Sequence, residues 1–387
     1  MSTSSEPAVI PITAARSHAG SAPSAPPEPS VTAQYAALRG GALLVDHPDR
    51  ALWTFRGPKA AETITGLVTN DLAGLAPGHG CYAAALTAKG RIIADVRSFA
   101  CGAITAAAAD PAAATGWLAG VALVVDVPPR AADGWNALVR KFVNPRSAPY
   151  RHEADRLRAF GVYGARARDA VAEAFGAPPA ALAALPAYAH ATITFADAPL
   201  LLARVPDLGL DGFLVIAPAE HRDRAWERVH TAVAGVQTGG DDAYRVARIE
   251  AGYPEWGVDI DDTTIPQEAN FDDLHAISYT KGCYTGQEVV ARIHFRGHVN
   301  RHLRGLTYGP NAGPVPTGAE LVDGTGKAVG DVRSSALSPR LGGVALGMVR
   351  REVALGAPLQ ARWDGGHHDV TVTALPFPDG RTEAPTA

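Results

Sequence analysis

The sequence predicts an α+β body followed by a small β-barrel or sandwich. Three observations lead there. Between residues 43 and 234, short apolar runs of strand length alternate with stretches whose apolar residues recur at helical spacing. After residue 303 the text changes to β-like runs separated by Gly and Pro. Apolar residues make up 47% and charged residues 19% of the 387, enough to bury cores in two or three domains.

Residues 1–33 are rich in Ser, Ala and Pro and read as a disordered tail, a transit peptide being the alternative. The folded part is expected to begin at Tyr35. Leu43–Asp46 and Leu52–Phe55 read as strands joined by a polar turn at His47-Pro48-Asp49. Gly57-Pro58 opens a helix carrying Ala61, Ile64, Leu67 and Val68, which ends at the polar corner Thr69-Asn70-Asp71. A hairpin follows, Cys81–Leu86 and Arg91–Phe99, turning at Ala88-Lys89-Gly90. Strand alternation puts Ile93 and Asp95 on one face, at a rim or looking into a pocket; this stretch alone favours the rim.

Residues 110–120 read as an Ala-rich helix and Val121–Val127 as a strand, with another element near Arg140–Val143. A second unit starts at Val162, with a helix over 164–175, strands near 191–195, 199–204 and 212–217, and a helix over 219–234. Gly239-Gly240 marks a break. Asp242 then caps a short helix with Val246, Ile249 and Glu250, stopped by Gly252 and Pro254. Beyond residue 303 the expected strands lie at 303–308, 329–335, 344–349, 359–363 and 369–375, with a turn at Asp364-Gly365-Gly366.

Composition excludes several classes. A net charge of −4 argues against a globally cationic nucleic-acid binder. No apolar run approaches the roughly 20 residues of a membrane-spanning helix. The three cysteines, Cys81, Cys101 and Cys283, form neither a CxxC pair nor a disulfide framework, and they fit a reducing compartment. The cytoplasm is the expected location, or the mitochondrial matrix if the tail is a transit peptide.

The chemistry concentrates in Lys281-Gly282-Cys283-Tyr284-Thr285-Gly286-Gln287-Glu288. Thr285 and Glu288 have capping-box spacing, and Val289, Val290 and Ile293 give the following helix an apolar face. Cys283 would then precede a helix N-terminus, whose free amides favour a thiolate, with Lys281 adding charge. Otherwise Cys283 is a small packed hydrophobe. Downstream, Arg292, Arg296, Arg301 and Arg304 gather near His294, His298 and His302. A solvated basic turn is the plain reading. A patch for an anionic ligand tail is the better functional one. RNA is a weaker one, because Phe295 is the single interleaved ring. A metal site on His294 and His298 is disfavoured, since Gly297 ends the helix between them. Asp95 and Glu250 each suit the N–H groups of a heterocycle, or an ordinary ion pair.

The run Lys281–Arg292 closely resembles the signature of the YgfZ-type folate-binding proteins, in the superfamily of the glycine-cleavage aminomethyltransferase (T-protein). Arg248-Ile249-Glu250-Ala251-Gly252 and Pro266-Gln267-Glu268 resemble segments upstream of it. Gly57, Thr69-Asn70-Asp71, Tyr82 and Gly90-Arg91 with Asp95 resemble the superfamily's first domain. The resemblance covers about residues 36 to 375. It implies three subdomains in a ring around a tetrahydrofolate channel. These are two α+β units, roughly 35–150 with 240–302 and 151–239, then a β-barrel over 303–378, between tails 1–34 and 379–387. It also implies a folate-dependent factor for assembly or repair of iron–sulfur proteins, with folate and iron–sulfur clients as partners and little or no turnover of its own. A one-carbon or aminomethyl transferase and a tRNA-modification accessory factor are the alternatives. Cys283 falls at the functional cysteine, Asp95 at the catalytic-site aspartate, Tyr82 at a folate-contacting tyrosine and Glu250 at the glutamate that contacts the pterin. Arg292 opens a basic stretch for an acidic polyglutamate tail. T-proteins carry paired aspartates where this chain has Ala94-Asp95, and they lack the signature.

Overall fold

A computed structural model describes residues 29–47, 49–101, 116–310 and 312–378. Most of the Ala-rich stretch expected as a helix over 110–120, and the tails 1–28 and 379–387, lie outside the described residues; Gly116–Leu118 is a 3-10 turn. The fold opens earlier than Tyr35, with helix α1 (Val31–Gly40) capped by Ser30. The first stretch continues with β1 (Ala42–His47), β2 (Ala51–Arg56), α2 (Ala60–Thr65), β3 (Gly80–Leu86), β4 (Ile92–Ala100), β5 (Val121–Val127), α3 (Ala132–Phe142) and β6 (Tyr150–His152). The second comprises β7 (Leu157–Tyr163), α4 (Ala167–Phe175), α5 (Pro179–Ala183), β8 (His190–Phe195), β9 (Ala198–Arg204), β10 (Gly212–Pro218), α6 (Ala219–Ala232) and β11 (Val236–Gly239). Then come α7 (Asp241–Ala251), α8 (Gln287–Arg296), β12 (Arg301–Tyr308), β13 (Glu320–Val322), β14 (Ala328–Ser338), β15 (Gly342–Arg350), β16 (Pro358–Trp363) and β17 (Gly366–Thr373).

The strands form a five-stranded sheet β3-β4-β5-β2-β6, a six-stranded sheet β11-β1-β7-β10-β9-β8 and a closed barrel β12-β15-β14-β13-β16-β17. The barrel closes over residues 301–373, as the Gly- and Pro-punctuated text predicts. It leaves none of its strands an open edge.

One expectation is corrected here. Both strands form, but the segment after His47 takes the chain from one sheet to another, so the expected unit of 35–150 with 240–302 does not hold the first strand. Strand β1 runs antiparallel to β7 and parallel to β11, whereas β2 pairs with β5 and β6. Ala42, Leu43, Leu44 and Val45 are fully buried. A strand covered on both faces reads as an unbroken apolar run, and that is what these residues supply. The first strand of the chain therefore belongs to the sheet of the second unit, not to a unit spanning 35–150.

Ile93 and Asp95 do not share a face. The register shifts between Ala85 and Leu86, so Ile93 bulges and packs with the cluster of Ala85, Ala94 and Val96. Asp95 faces the other way, together with Tyr82 and Arg97, which stand opposite one another in the β3–β4 ladder.

Candidate functional site

A cavity of about 780 Å³ opens where the two sheets, α7 and the barrel meet. The first sheet contributes Tyr82, Asp95 and Arg97, the second His47 and Asp207, and the barrel Ser334. Asp95 and Asp207 are 6% and 4% exposed, so the rim reading of Asp95 gives way to the pocket.

The carboxylates are held by specific partners. Tyr82 Oη donates to Asp95 Oδ2 at 2.8 Å. Arg97 Nη1 donates to Asp207 Oδ2 at 2.6 Å, and its Nε lies 2.8 Å from Asp126 Oδ2. Arg50 closes the chain on Asp126. Two guanidinium groups and two carboxylates thus alternate inside the protein, which offsets the cost of burying each charge. These two cavity-lining acids each keep one buried oxygen without a partner, Asp95 Oδ1 and Asp207 Oδ1. Burial pushes the Asp95 carboxyl up to about 6, against the hydrogen bond from Tyr82. Burial also raises Asp207, with Arg97 opposing it.

Tyr82 and Tyr253 stand on the cavity wall, and further rings pack behind them. Tyr82 stacks beside Tyr188, with centroids 6.1 Å apart and planes 16° apart, and packs against Tyr253 and Phe271 at 5.4 and 5.2 Å. The hydroxyls of Tyr188 and Tyr253 bond each other. The polar corner Thr69-Asn70 fixes the back of this wall. Thr69 Oγ1 donates to Ala276 O and accepts from Ala84 N, while Asn70 Nδ2 donates to Tyr82 O and His275 O.

Glu250 is elsewhere. Residues two apart on a helix point about 200° from each other. On α7, Arg248 takes the cavity side, bonding Asp259 Oδ2 at 2.5 Å, and Glu250 takes the opposite side. Its carboxylate accepts from Tyr35 Oη at 2.9 and 2.8 Å, Ser338 Oγ at 2.5 Å and Arg340 Nη2 at 3.2 Å. The expectation that Glu250 meets a heterocycle is corrected: it fastens α1 and the barrel to α7.

The signature loop folds differently from the capping-box expectation. Helix α8 starts at Gln287 with Gly286 as its cap, and Thr285 makes no side-chain cap bond. Gly286 has φ +84°, and a Cβ there would stand 2.7 Å from Thr87 O. Lys281 Nζ is committed to the carbonyls of Thr65 and Val68, the latter at 2.7 Å, and lies 4.5 Å from the centre of the Tyr284 ring. Burial lowers its pKa to about 8. Lys281 thus clips the loop onto the end of α2 rather than serving Cys283. Cys283 is exposed and does not line the cavity.

Arg292 and Arg296 border a second cleft of about 340 Å³ with Arg91, Glu268 and His298. Arg292 is therefore not brought to Asp95 either; Arg50, Arg97, Arg130, Arg245 and Arg248 are the cations on the main cavity's lining. Gly297 caps the end of α8 between His294 and His298, and His302 sits on β12. Among the described residues no three metal-ligating side chains converge.

Sequence comparison agrees with this architecture. The family model of the GCVT N-terminal domain matches residues 130–278, and that of the glycine cleavage T-protein C-terminal barrel domain matches 301–379. The chain belongs to the glycine cleavage T-protein family. Within this family it is 27% identical to an aminomethyltransferase of Nostoc sp. over 350 residues, 90% of this chain and 87% of that one. It is 28% identical to the tRNA-modifying protein YgfZ of Yersinia pestis over 279 residues, 72% and 74% of the two chains. The YgfZ of Serratia proteamaculans is 34% identical over 163 residues, 42% of this chain; the match spans less than half of that relative, 45%. The solved aminomethyltransferase T of Bartonella henselae shares the fold, with a TM-score of 0.76 at 23% identity over 91% of this chain and 90% of that one.

Tyr82 and Asp95, two of the residues singled out in the sequence, thus meet in one cavity, while Cys283, Glu250 and Arg292 lie outside it. Asp207, Arg97 and Tyr253 join the site without any mark in the sequence, and Tyr188 packs behind Tyr82. Asp207 sits in the loop Val205–Leu208, which no motif picks out, and its role depends on a sheet-to-sheet contact that spacing does not encode.

Proposed function

We propose that this protein binds tetrahydrofolate in the cavity at Asp95 and assists the assembly or repair of iron–sulfur proteins. The observation that carries the folate part is the pair of buried carboxylate oxygens, Asp95 Oδ1 and Asp207 Oδ1, beside a tyrosine wall. A reduced pterin presents N–H donors on a flat ring system, and an unpaired buried acceptor is costly until a donor meets it. The rings of Tyr82 and Tyr253 offer it apolar faces. Tetrahydrofolate would supply an acceptor for one-carbon units. Asp95 would orient it and, with its raised carboxyl, exchange a proton at Oδ1. Arg130 and Arg245 would receive the acidic tail.

The iron–sulfur part rests on the Lys281–Glu288 signature, whose Cys283 stands exposed on a loop clipped by Lys281. Calorimetric titration with tetrahydrofolate, on wild type and Asp95→Asn, tests the ligand. Binding that is absent from wild type removes the proposal.

One observation favours the tRNA reading as a second role. The Tyr279 and His294 rings stack with centroids 3.6 Å apart, and Phe295 is 67% exposed against both. Three rings therefore cluster at α8, the helix that also carries Arg292 and Arg296, where the sequence offered one. Bases stack on such faces and phosphates pair with such cations. Filter binding of unmodified tRNA at two salt concentrations, with Phe295→Ala as the control, tests it.

A further inference from the structure

We infer that Asp207 accepts hydrogen bonds from the amino and ring N–H edge of the pterin, the role that resemblance assigns to Glu250. The inference rests on the folate-binding reading above and names the residue that recognises the ligand's invariant edge.

A pterin's pyrimidine edge carries an amino group beside a ring N–H, and both are donors whether the second ring is oxidised or reduced. Such an edge needs a carboxylate acceptor out of water. Glu250 cannot provide it, because its oxygens already take hydrogens from Tyr35, Ser338 and Arg340 on the far side of α7. The other acids on the cavity lining are engaged or open to water. Glu255 is ion-paired with Arg248, and Asp46, Asp49 and Asp241 are exposed. Two lining acids remain that are buried and have an oxygen without a partner, Asp95 and Asp207. Asp95 is tied to the wall through the Tyr82 hydroxyl and stands at the position that resemblance gives to the chemistry.

Asp207 is built to receive. Its loop turns tightly, with Gly209 N donating to Pro206 O at 2.9 Å and Val205 N to Gly212 O at 2.8 Å. Arg97 anchors Oδ2 from the opposite sheet and leaves Oδ1 free. No tyrosine supplies that oxygen with a hydrogen. Tyr82 donates to Asp95, and the hydroxyls of Tyr188 and Tyr253 bond each other. A hydrogen bond from the ligand to a charged acceptor is therefore the interaction this site lacks, and such bonds are the stronger kind.

The test is a cycle between protein and ligand. Tetrahydrofolate and its 2-desamino analogue are titrated into the full-length wild type, Asp207→Asn and Glu250→Gln. Wild type should bind the analogue roughly tenfold to a hundredfold more weakly. Asp207→Asn should bind tetrahydrofolate weakly by a similar factor and no longer distinguish the two ligands, whereas Glu250→Gln should keep the full discrimination. Discrimination retained in Asp207→Asn, or lost in Glu250→Gln, overturns the inference; the second arm stands even if Asp207→Asn does not fold. If wild type binds neither ligand, the folate reading falls and takes this inference with it. If wild type binds tetrahydrofolate but Asp207 shows no coupling to the amino group, this inference alone falls.

Discussion

Arg97, on the first sheet, reaches across to Asp207, on a loop of the second, with 2.6 Å between Nη1 and Oδ2. The same guanidinium faces Asp126. Truncating it leaves two buried carboxylates under-compensated. Arg97→Met should therefore lose about 3–5 kcal/mol of stability, measured by urea unfolding. A loss under about 1 kcal/mol, the range of an exposed pair, would show that these charges are wetter than their burial implies.

Asp95 makes stability depend on pH in an unusual direction. Its folded carboxyl lies at about 6, above the ordinary value of 3.8, so the folded chain holds the proton longer than the unfolded one. That contribution is fully present below about pH 4 and is lost as pH rises through 6. The gap between the two values corresponds to roughly 3 kcal/mol. Half-buried His47 and buried His190, lowered to about 3 and about 4, act oppositely: their contribution is present above the ordinary 6.5 and lost as pH falls. The wild-type curve mixes these effects, so the difference between wild type and Asp95→Asn isolates one. Asp95→Asn should gain stability relative to wild type between pH 4 and 7. A flat difference would mean that Asp95 is not buried as described.

Glu250→Ala should cost about 3 kcal/mol, because it strands Arg340 and removes the acceptor of Tyr35 and Ser338. Tetrahydrofolate affinity per folded molecule should stay unchanged. Thermal unfolding and calorimetry on one preparation separate the two effects; weaker binding at undiminished stability would restore Glu250 to the cavity.

Gly286→Ala should be the costly change in the signature loop. The backbone at φ +84° disfavours a side chain, and the added methyl meets Thr87 O. About 2 kcal/mol of lost stability is expected from thermal unfolding. Gly282, with nothing near its missing side chain, should accept alanine within about 0.5 kcal/mol.

Cys283→Ala should leave stability within about 0.5 kcal/mol of wild type, because the thiol is exposed. In cells lacking the native protein, it should restore cluster-dependent enzyme activity poorly. Full restoration would deny the sulfur a role.

Local rules make much of this fold readable. The β3–β4 hairpin, the strands of the second unit and the barrel follow from apolar periodicity and turn residues, which act over a few positions. Strand β13, three residues long, and β11, which lies against the Gly239-Gly240 break, are too short to announce themselves. Tyr82 and Asp95 are legible because they sit on one hairpin. Asp207 is not, since its partner Arg97 lies on another sheet. Glu250 misleads for a related reason: a carboxylate in a matching motif says nothing about which side of its helix is already occupied. Thr285 misleads because capping-box spacing takes no account of Gly286 meeting Thr87.

Strand β1 has a consequence for dissection of the molecule. It lies between β7 and β11, so the second sheet holds a piece of chain made before the whole first sheet. A fragment starting at residue 151 would expose the β7 edge and leave β11 detached, an invitation to aggregation. During synthesis that sheet stays incomplete until Val236 emerges to meet Ala42, so the early strand must wait without its neighbours. The two α+β units are interlocked by sequence order, and neither is expected to survive as an independently expressed half.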